Sequence, residues 1–467
     1  MLMTFGDEIT LTDPQPADGV ILLDDLLRQV RQHHPKILSA DLERRIAGAK
    51  LLEKQGAFDP GIALDSDYLR YNDFTNRGKL SKAWDNDLSM NWLTRSGLKF
   101  SLGGRYNTGD VKPPLYPTGQ SGEYFMGIRM PLLRGFRVND KVAAEMQAEL
   151  GIPLADAAFN ETRLAMLLQT AYTYWEWIAA GQKQAIAQDV LTLSETRFNA
   201  IQQRVAQGDL PVIDATEAEQ EMQRRQSARI KAVREFEKWS YQLSRYRWEP
   251  NGTPSPALQS DNAPRNIAEP EAISDEDWMA GRQNALEERP EIKSLGLQKE
   301  IVDVDLRFAK NQRLPITDLF ATPGYDTGGQ SVGLTLKAGV SLVVPLRQRT
   351  ANGLIRAAEY KIQKLDLDQR LLLQQVLLEV DDAVSAVNAA YQQYLAAKQE
   401  LKLAREMEAG ERTRFEYGDS NLFLVNQRER MTAETFSKVV DIQTEYYQAV
   451  SLFNAVTGRL LRNAPGR

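Results

Sequence analysis

The apolar positions follow two different periods along this chain. Two very long stretches, residues 139–206 and 349–417, repeat apolar side chains with the 3.6-residue period of an α-helix. At 1.5 Å per residue, each helix would measure about 100 Å. Residues 58–131 and 315–345 contain segments that alternate apolar and polar side chains, as strands do. The pattern therefore predicts a mixed α and β protein dominated by long helices.

The first half of the chain predicts a complete structural repeat at residues 20–248. Helices at 22–55 precede strands at 58–131, and a long helical hairpin follows at 139–248. Residues 1–19 are polar and contain two prolines, so we expect a flexible N-terminal segment.

The second half repeats this order after a proline-rich linker at 249–272. Helices at 275–312 precede strands at 315–345 and a second long hairpin at 349–462, all within a repeat at 273–463. The same order of elements in both halves indicates an internal duplication.

Proline and glycine mark the boundaries of the predicted elements. Each strand region ends at a Pro-Leu step, at Pro131 and Pro345, where proline suits both the end of a strand and the first turn of a helix. The Gly-Ile-Pro step at 151–153 predicts a kink or a short break in the first long helix. We expect this helix to end at Gly208 and the return helix to begin with Pro211 in its first turn.

A repeat of large and small residues runs along the second long helix. Alanine recurs every seven residues, and a larger apolar residue stands three positions before each alanine. The pairs are Val380/Ala383, Val387/Ala390, Tyr394/Ala397 and Leu401/Ala404. This heptad predicts a coiled coil in which alanine allows close approach of the helices. On this feature alone, an ordinary soluble, elongated coiled-coil scaffold is the favoured interpretation.

The strand pattern offers a second interpretation. Residues 332–344 carry apolar side chains at even positions, and the odd positions from 331 to 341 are small, polar or charged, which suits the wall of a water-lined membrane barrel. The edge of a soluble antiparallel sheet shows the same alternation. Each half supplies two to four strands, too few to close a barrel, so a barrel requires several copies of the chain. Residues 108–122 and 322–330 are predicted loops.

Composition narrows the function classes. The net charge is −6 with a pI of about 5.4, and this is not the basic footprint of a nucleic-acid-binding protein. There are no cysteines, and His33 and His34 are predicted as solvated loop residues rather than metal ligands. Residues 1–19 lack the features of a signal peptide, so the protein is either cytoplasmic or begins after a targeting segment.

Catalytic signatures are missing from the sequence. It contains no glycine-rich phosphate loop, nucleophile elbow or HExxH motif. We therefore expect neither an enzyme nor a bound cofactor.

Four short segments give the duplicated pattern a specific resemblance. They are Met130–Gly135, Ala171–Trp175, Arg204–Asp214 and Arg414–Leu422. With their doubled order, the chain resembles the TolC-like outer-membrane efflux proteins over residues 20 to 463.

The resemblance implies an outer-membrane channel that passes small molecules or secreted proteins out of a Gram-negative cell. It implies a homotrimer with a β-barrel in the outer-membrane lipid and a coiled-coil α-barrel in the periplasm. The partners would be a periplasmic adaptor (membrane fusion) protein and an inner-membrane transporter, in drug efflux or type I secretion. The family usually has twelve strands. The extra pair near Leu88 to Tyr106 would either extend the sheet outside the cell or widen the barrel beyond twelve strands, and we expect the extension.

The resemblance also assigns residues to three sites. The periplasmic tips would be Gly208, Asp209, Leu210, Pro211, Gly418, Asp419, Ser420, Asn421 and Leu422. The entrance gate would be Arg204, Asp214, Arg414 and Phe415. The lipid-facing positions would be Tyr124, Met126, Ile128, Val340, Leu342 and Val344, whereas Gly127 and Ser341 would face water.

The gate departs from the family pattern in the second repeat. The position equivalent to Asp214 is Leu424, a second acidic position is Gln427, and an expected arginine is Ser420. The tip residues also have a simpler interpretation as helix caps and turn residues, and the arginines as partners of the helix dipole.

Overall fold

A computed structural model describes residues 20–73, 78–111, 117–259, 262–264, 267–328 and 333–462. The predictions made for residues 1–19, and for Ser331 and Val332 as strand residues, lie outside the described residues.

The first half contains four helices and four strands in the described residues. In chain order they are α1 (Leu23–His33), α2 (Pro35–Gln55), β1 (Gly61–Asp73), β2 (Lys79–Leu93), β3 (Lys99–Gly109), β4 (Glu123–Pro131), α3 (Asp140–Ala206) and α4 (Val212–Ser244).

The second half has the same order with fewer strands. The described elements are α5 (Asp275–Glu288), α6 (Pro290–Asn311), β5 (Ile316–Asp326), β6 (Leu334–Val343), α7 (Arg349–Glu416), α8 (Leu422–Val456) and the short α9 (Arg459–Arg462). The predicted mixed fold, with its long helical hairpins, antiparallel strands and internal duplication, is confirmed. No helix in these described ranges combines the length and apolarity needed to cross a membrane.

Two compact units divide the chain, and each draws on both halves. One unit takes in the chain up to Leu42, Ala158–Ile292 and the chain from Leu371 onward. The other consists of Glu43–Ala157 and Lys293–Arg370 and contains all six strands. The compact units therefore do not coincide with the two sequence repeats.

The helical unit has an aromatic core. Trp177 is completely buried, and its indole N–H donates to the Ser240 hydroxyl at 3.1 Å, which satisfies its one polar group. Trp175 stacks on Tyr447 with 4.2 Å between the ring centroids. This core contains the first two pairs of the predicted α7 heptad, Val380/Ala383 and Val387/Ala390. Tyr394, Ala397 and Leu401 of the next pairs belong to a second buried cluster.

The six strands form one antiparallel sheet. Each strand pairs with its neighbours in the sequence, in the order β1-β2-β3-β4-β5-β6. The β1–β2 pairing is the longest and runs from Gly61 opposite Asn91 to Asp73 opposite Lys79. The outer strands β1 and β6 each have one neighbour within the described chain. The pair β2–β3 lies between β1 and β4 in this sheet, and its expected place outside the cell stays a prediction.

One predicted break is absent from the described structure, and one predicted loop begins later than expected. Helix α3 continues through Pro153 without a break. A proline inside a helix removes one backbone hydrogen bond, and the remaining turns of this very long helix hold it together. The predicted loop at 322–330 begins later than expected, because β5 continues to Asp326 and pairs Thr322 with Lys337 and Tyr325 with Leu334.

Neither junction proline begins a helix, and only Pro131 ends a strand. Pro131 is the last residue of β4, and α3 begins only at Asp140. The Asn139 side chain caps this helix by accepting from the Val142 N–H at 2.9 Å. Likewise, β6 ends at Val343 and α7 begins at Arg349, so Pro345 lies in the connection.

His34 is packed against aromatic rings rather than solvated. It is half-buried, stacks on Tyr246 with 6.1 Å between ring centroids and lies 6.3 Å from Trp248. Burial lowers the pKa of His34, so its neutral form is favoured.

We predict that Ala397→Leu destabilises the helical unit by about 1–3 kcal/mol, because Ala397 is buried and the added methylene groups overpack its site. Its neighbour Ala396 is exposed, so Ala396→Leu is the matched control and should change stability by less than about 0.5 kcal/mol. Urea unfolding followed by circular dichroism at 222 nm measures both. Equal effects of the two variants would contradict the assigned packing face.

Candidate functional site

The first helical hairpin turns through a Schellman motif. Gly208 has a φ of 83°, and the Asp209 N–H donates to the Arg204 carbonyl at 2.9 Å. The Gly208 N–H donates to the Val205 carbonyl at 3.0 Å. These bonds satisfy carbonyls that the end of α3 leaves unpaired, and glycine adopts the left-handed conformation without strain.

The second hairpin repeats the motif residue for residue. Gly418 has a φ of 84°, the Asp419 N–H donates to the Arg414 carbonyl at 2.9 Å, and the Gly418 N–H donates to the Phe415 carbonyl at 3.1 Å. Both glycines are therefore required by the backbone, whatever else the turns do.

The return helices begin in different ways. Asn421 caps α8, because its side-chain oxygen accepts from the Leu424 N–H at 3.0 Å. Pro211 is the N-cap of α4, with ψ of 151°, and so precedes the first turn in which it was predicted. Ser420 donates its hydroxyl to the buried carboxylate of Glu411 at 2.5 Å.

An apolar cluster joins the two turns, and we call it the tip cluster. Its buried members are Ile201, Ala218 and Leu422, and its partly buried members are Phe198, Val205, Leu210, Ala215 and Phe415. The predicted tip residues Leu210 and Leu422 therefore contribute to packing between the hairpins. Phe415, predicted as a gate aromatic, packs within this cluster.

A buried glutamate on α8 lies among three arginines from three other helices. The Glu429 side chain is 2% exposed. Arg197 of α3 makes a bidentate pair with it, including a 2.8 Å bond from Nη1 to Oε2. Arg225 of α4 approaches to 3.0 Å, and Arg412 of α7 to 3.3 Å. We call this group the Glu429 network; it links four helices through charge.

Further polar groups complete the network. Arg225 donates from Nε to Glu221 at 3.0 Å, Arg430 lies 3.3 Å from Glu221, and Arg197 donates to the Asn426 side chain at 2.9 Å. Buried charges remain stable only when they are paired, and the buried side chains of Glu429 and Arg225 pair with each other and with further charged partners here.

The sequence analysis missed this network, although the sequence carries a signal for it. Leu422, Asn426 and Glu429 follow the spacing i, i+4, i+7 and share one helical face, and all three are buried. When a polar and an acidic residue lie on an otherwise apolar helical face, a buried polar or basic partner is expected. The sequence pattern does not identify that partner.

Opposing effects act on the two glutamates near the tip. Burial favours the neutral form of Glu429, but the hydrogen bonds and positive charges of Arg197 and Arg225 outweigh it and hold the pKa of Glu429 below its ordinary value. Burial, followed by the negative charge of Asp214, raises the pKa of Glu217.

The sheet has one continuous apolar face. The register places Ile62 opposite Met90, Met90 opposite Leu102, and Leu102 opposite Met126. Leu319 continues this face on β5 between Met130 and Val340. The predicted positions Tyr124, Met126, Ile128, Val340 and Leu342 all lie on this face, and they and Val344 are 40–64% exposed.

The opposite face is polar. One row across four strands contains Asp65, Asp87, Arg105 and Glu123. Arg105 lies 3.7 Å from Asp87 and 3.5 Å from Glu123, so it bridges two of the carboxylates. Asp65 and Asp87 are direct cross-strand neighbours of like charge, which is tolerated where water screens them.

No protein-family model and no curated protein matches the chain. Solved structures do match. The outer-membrane channel OprN has a TM-score of 0.69 at 14% identity, over 93% of this chain and 89% of its own. VceC of Vibrio cholerae has a TM-score of 0.67 at 16% identity, over 93% of this chain and 96% of its own. The open MtrE channel of Neisseria gonorrhoeae has a TM-score of 0.66 at 15% identity, over 95% of this chain and 91% of its own. This chain has the TolC-like fold.

Within the TolC-like fold, the predicted gate residues do not form one cluster. Arg204 is exposed, Asp214 is half-buried, and Arg414 donates to the Asp419 carbonyl at 3.2 Å. Among the described residues, no hydrogen bond or ion pair joins these three side chains to one another. Buried ion pairing instead occurs in the Glu429 network, on the same four helices.

Gly127 is more restricted than the sequence suggested. A Cβ at this position would lie 2.2 Å from the Ser101 hydroxyl oxygen, so any side chain requires Ser101 to move. Ser341 lies on the same polar face, opposite Asp318, and is the better position for an added positive charge.

We predict that Glu429→Gln destabilises the protein by about 3–5 kcal/mol, because it leaves Arg197 and Arg225 buried without their shared carboxylate. Glu406→Gln, on the exposed surface of α7, is the matched control and should be nearly neutral. Urea unfolding at neutral pH measures both. A loss below about 1 kcal/mol for Glu429→Gln would contradict the assigned ionic network.

The pH dependence of stability supplies a second readout. In the folded protein, the pKa of Glu429 lies below its ordinary value of 4.5. The ionised carboxylate therefore stabilises the fold fully above pH 4.5, and this stabilisation is lost as the pH falls through the lower pKa of the folded state. The unmodified protein should therefore lose stability more steeply below about pH 4.5 than Glu429→Gln does. Parallel profiles would show that Glu429 is not the titrating group.

Proposed function

We propose that this chain is the outer-membrane channel of a tripartite export system. It acts as a homotrimer, with its strands in the outer-membrane lipid and its helical hairpins in the periplasm. A periplasmic adaptor protein and an inner-membrane transporter deliver small molecules or secreted proteins to it. The channel is a passive duct and uses no cofactor, since the transporter supplies the energy.

The observation that carries the proposal is the sheet with one apolar face, one charged face and two open edges. An apolar face of exposed Leu, Ile, Met and Val side chains is stable against lipid. The charged row opposite it requires water. Open strand edges cannot remain in a bilayer, so the edges of neighbouring copies must pair.

The hairpin turns suit contact with another protein. Val212 and Ile213 at the start of α4 are 73% and 67% exposed, and Phe423 at the start of α8 is 60% exposed. Exposed apolar side chains grouped at helix ends are typical of protein interaction sites. They support the proposed docking of the adaptor at residues 208–211 and 418–422.

Membrane fractionation and conductance test the proposal. We expect the protein, exported behind a cleavable signal, to be recovered from the outer membrane as detergent-extracted trimers. These trimers should conduct ions across planar bilayers. Recovery as a soluble, elongated dimer would contradict the proposal and favour the coiled-coil scaffold.

We predict that Met126→Lys blocks membrane assembly, because a lysine facing the middle of the bilayer costs about 2–4 kcal/mol per copy. Met126 is 61% exposed on the apolar face. Ser341→Lys, on the polar face, is the matched control and should assemble normally. Trimer yield in the outer-membrane fraction measures the difference. Normal assembly of Met126→Lys would remove this face from contact with lipid.

We predict that Phe415→Ala increases conductance and antibiotic leakage. Truncating this ring opens a cavity in the tip cluster and loosens the packing between the hairpins. Tyr417 is 81% exposed two residues away, so Tyr417→Ala is the control and should leave conductance unchanged. Single-channel recording in planar bilayers measures both. Unchanged conductance in Phe415→Ala would exclude this residue from the gate.

A further inference from the structure

The two halves of the chain differ by one β-hairpin. Strand β1 follows α2 as β5 follows α6, and β4 ends in the connection to α3 as β6 ends in the connection to α7. In this alignment β1 corresponds to β5 and β4 corresponds to β6. The hairpin β2–β3 therefore has no counterpart in the second half.

This hairpin lies between β1 and β4 along most of their length. β2 pairs with all of β1, and β3 pairs with β4 from Lys99 opposite Arg129 to Arg105 opposite Glu123. Its outward side chains continue the apolar face, and the exposed ones include Trp84, Leu88, Leu102 and Tyr106. The hairpin thus has the same two-faced character as the other strands.

The turn between β2 and β3 contacts helix α3 and the segment that precedes it. Arg95 makes a bidentate pair with Glu145 of α3 at 2.6–3.1 Å. The Ser96 carbonyl accepts from the Arg137 N–H at 3.1 Å. Gly97, with a φ of 90°, lies so close to Gly135 that a Cβ would approach the Gly135 carbonyl oxygen to 2.4 Å. These contacts hold β2 and β3 in the sheet.

The strand directions allow copies to join at the sheet edges. Successive antiparallel pairing of six strands makes β1 and β6 run in opposite directions. A rotated copy therefore presents β6 antiparallel to β1, in a head-to-tail interface that closes into a ring. A single copy cannot close its own six strands into a barrel. A barrel of fewer than about eight strands has no room inside for the charged row at Asp65, Asp87, Arg105 and Glu123.

We infer that β2–β3 is an inserted part of the barrel wall and that each copy contributes six strands, with β1 paired to β6 of the next copy. This rests on the proposed trimeric channel, which then has eighteen strands. With strands about 4.8 Å apart and tilted by about 45°, the barrel is roughly 39 Å across between backbones, against roughly 26 Å for twelve strands. The insertion widens the exit of the duct for bulkier cargo.

Disulfide trapping tests this arrangement, since the natural chain has no cysteine. Ile62, Met90 and Met126 lie in one row on the apolar face, on β1, β2 and β4. We expect Ile62→Cys with Met90→Cys to cross-link within one chain when extracted trimers are oxidised. Ile62→Cys with Met126→Cys should not cross-link, because β2 and β3 separate them well beyond the reach of a disulfide.

Interchain pairs test the edges. Ile62→Cys is combined in turn with Ala338→Cys, Val340→Cys and Leu342→Cys on β6, which sample the register. At least one combination should give covalent dimers and trimers on a non-reducing gel, and the single variants should not.

The outcomes separate the two proposals. A cross-link in extracted trimers of the variant that combines Ile62→Cys with Met126→Cys would place the hairpin outside the wall and overturn the inference. Cross-links to β6 that are absent, or that form only within one chain, would also overturn it. Failure to recover trimers from the membrane would instead contradict the proposed function.

Discussion

The pairing of backbone amide and carbonyl groups is the constraint on which this structure depends. In the sheet, four strands pair on both sides, and only the outer edges of β1 and β6 remain open. In the hairpins, the last carbonyls of α3 and α7 are satisfied by identical hydrogen bonds from the residues around Gly208 and Gly418. Pro323 has no N–H to donate. It lies on β5 between the pair Phe125–Gly324 and the pair Ile128–Ala321, where the β4–β5 pairing is interrupted. In the proposed channel, these open edges pair with further copies of the chain.

The Glu429 network makes a different kind of contribution. Apolar packing in the tip cluster is tolerant of small shifts, because apolar contacts have little directionality. The pairs of Glu429 with Arg197, Arg225 and Arg412 are directional and buried, so they define one arrangement of four helices. If the proposed channel opens by separating these helices, the network must break, and water would then have to solvate each charge.

The duplicated halves have diverged where the physics allows it. The two hairpin turns have kept the same hydrogen bonds, since a left-handed glycine is needed in each. The sheet accepts an insertion of two strands, because an even number preserves the direction of β4 and the apolar face. Helix caps also differ, with Asn421 capping α8 by its side chain and Pro211 preceding α4. Backbone requirements are therefore shared between the halves, whereas side-chain solutions are not.

The sequence by itself determined the features that depend on local period and local backbone preference. These are the long helices, the alternating strands, the turn glycines and the buried alanines of α7, because each depends on residues a few positions apart. The duplication follows from the same order of these elements in both halves. Tertiary structure decided the rest. Pro153 does not break α3, residues 322–326 extend β5, and the β2–β3 hairpin joins the sheet, because pairing with distant segments outweighs local preference. The predicted gate residues Arg204, Asp214 and Arg414 share no hydrogen bond or ion pair in the described structure, whereas Glu429 pairs with arginines from three other helices. Which charges meet depends on how four helices pack, and no local sequence pattern records that.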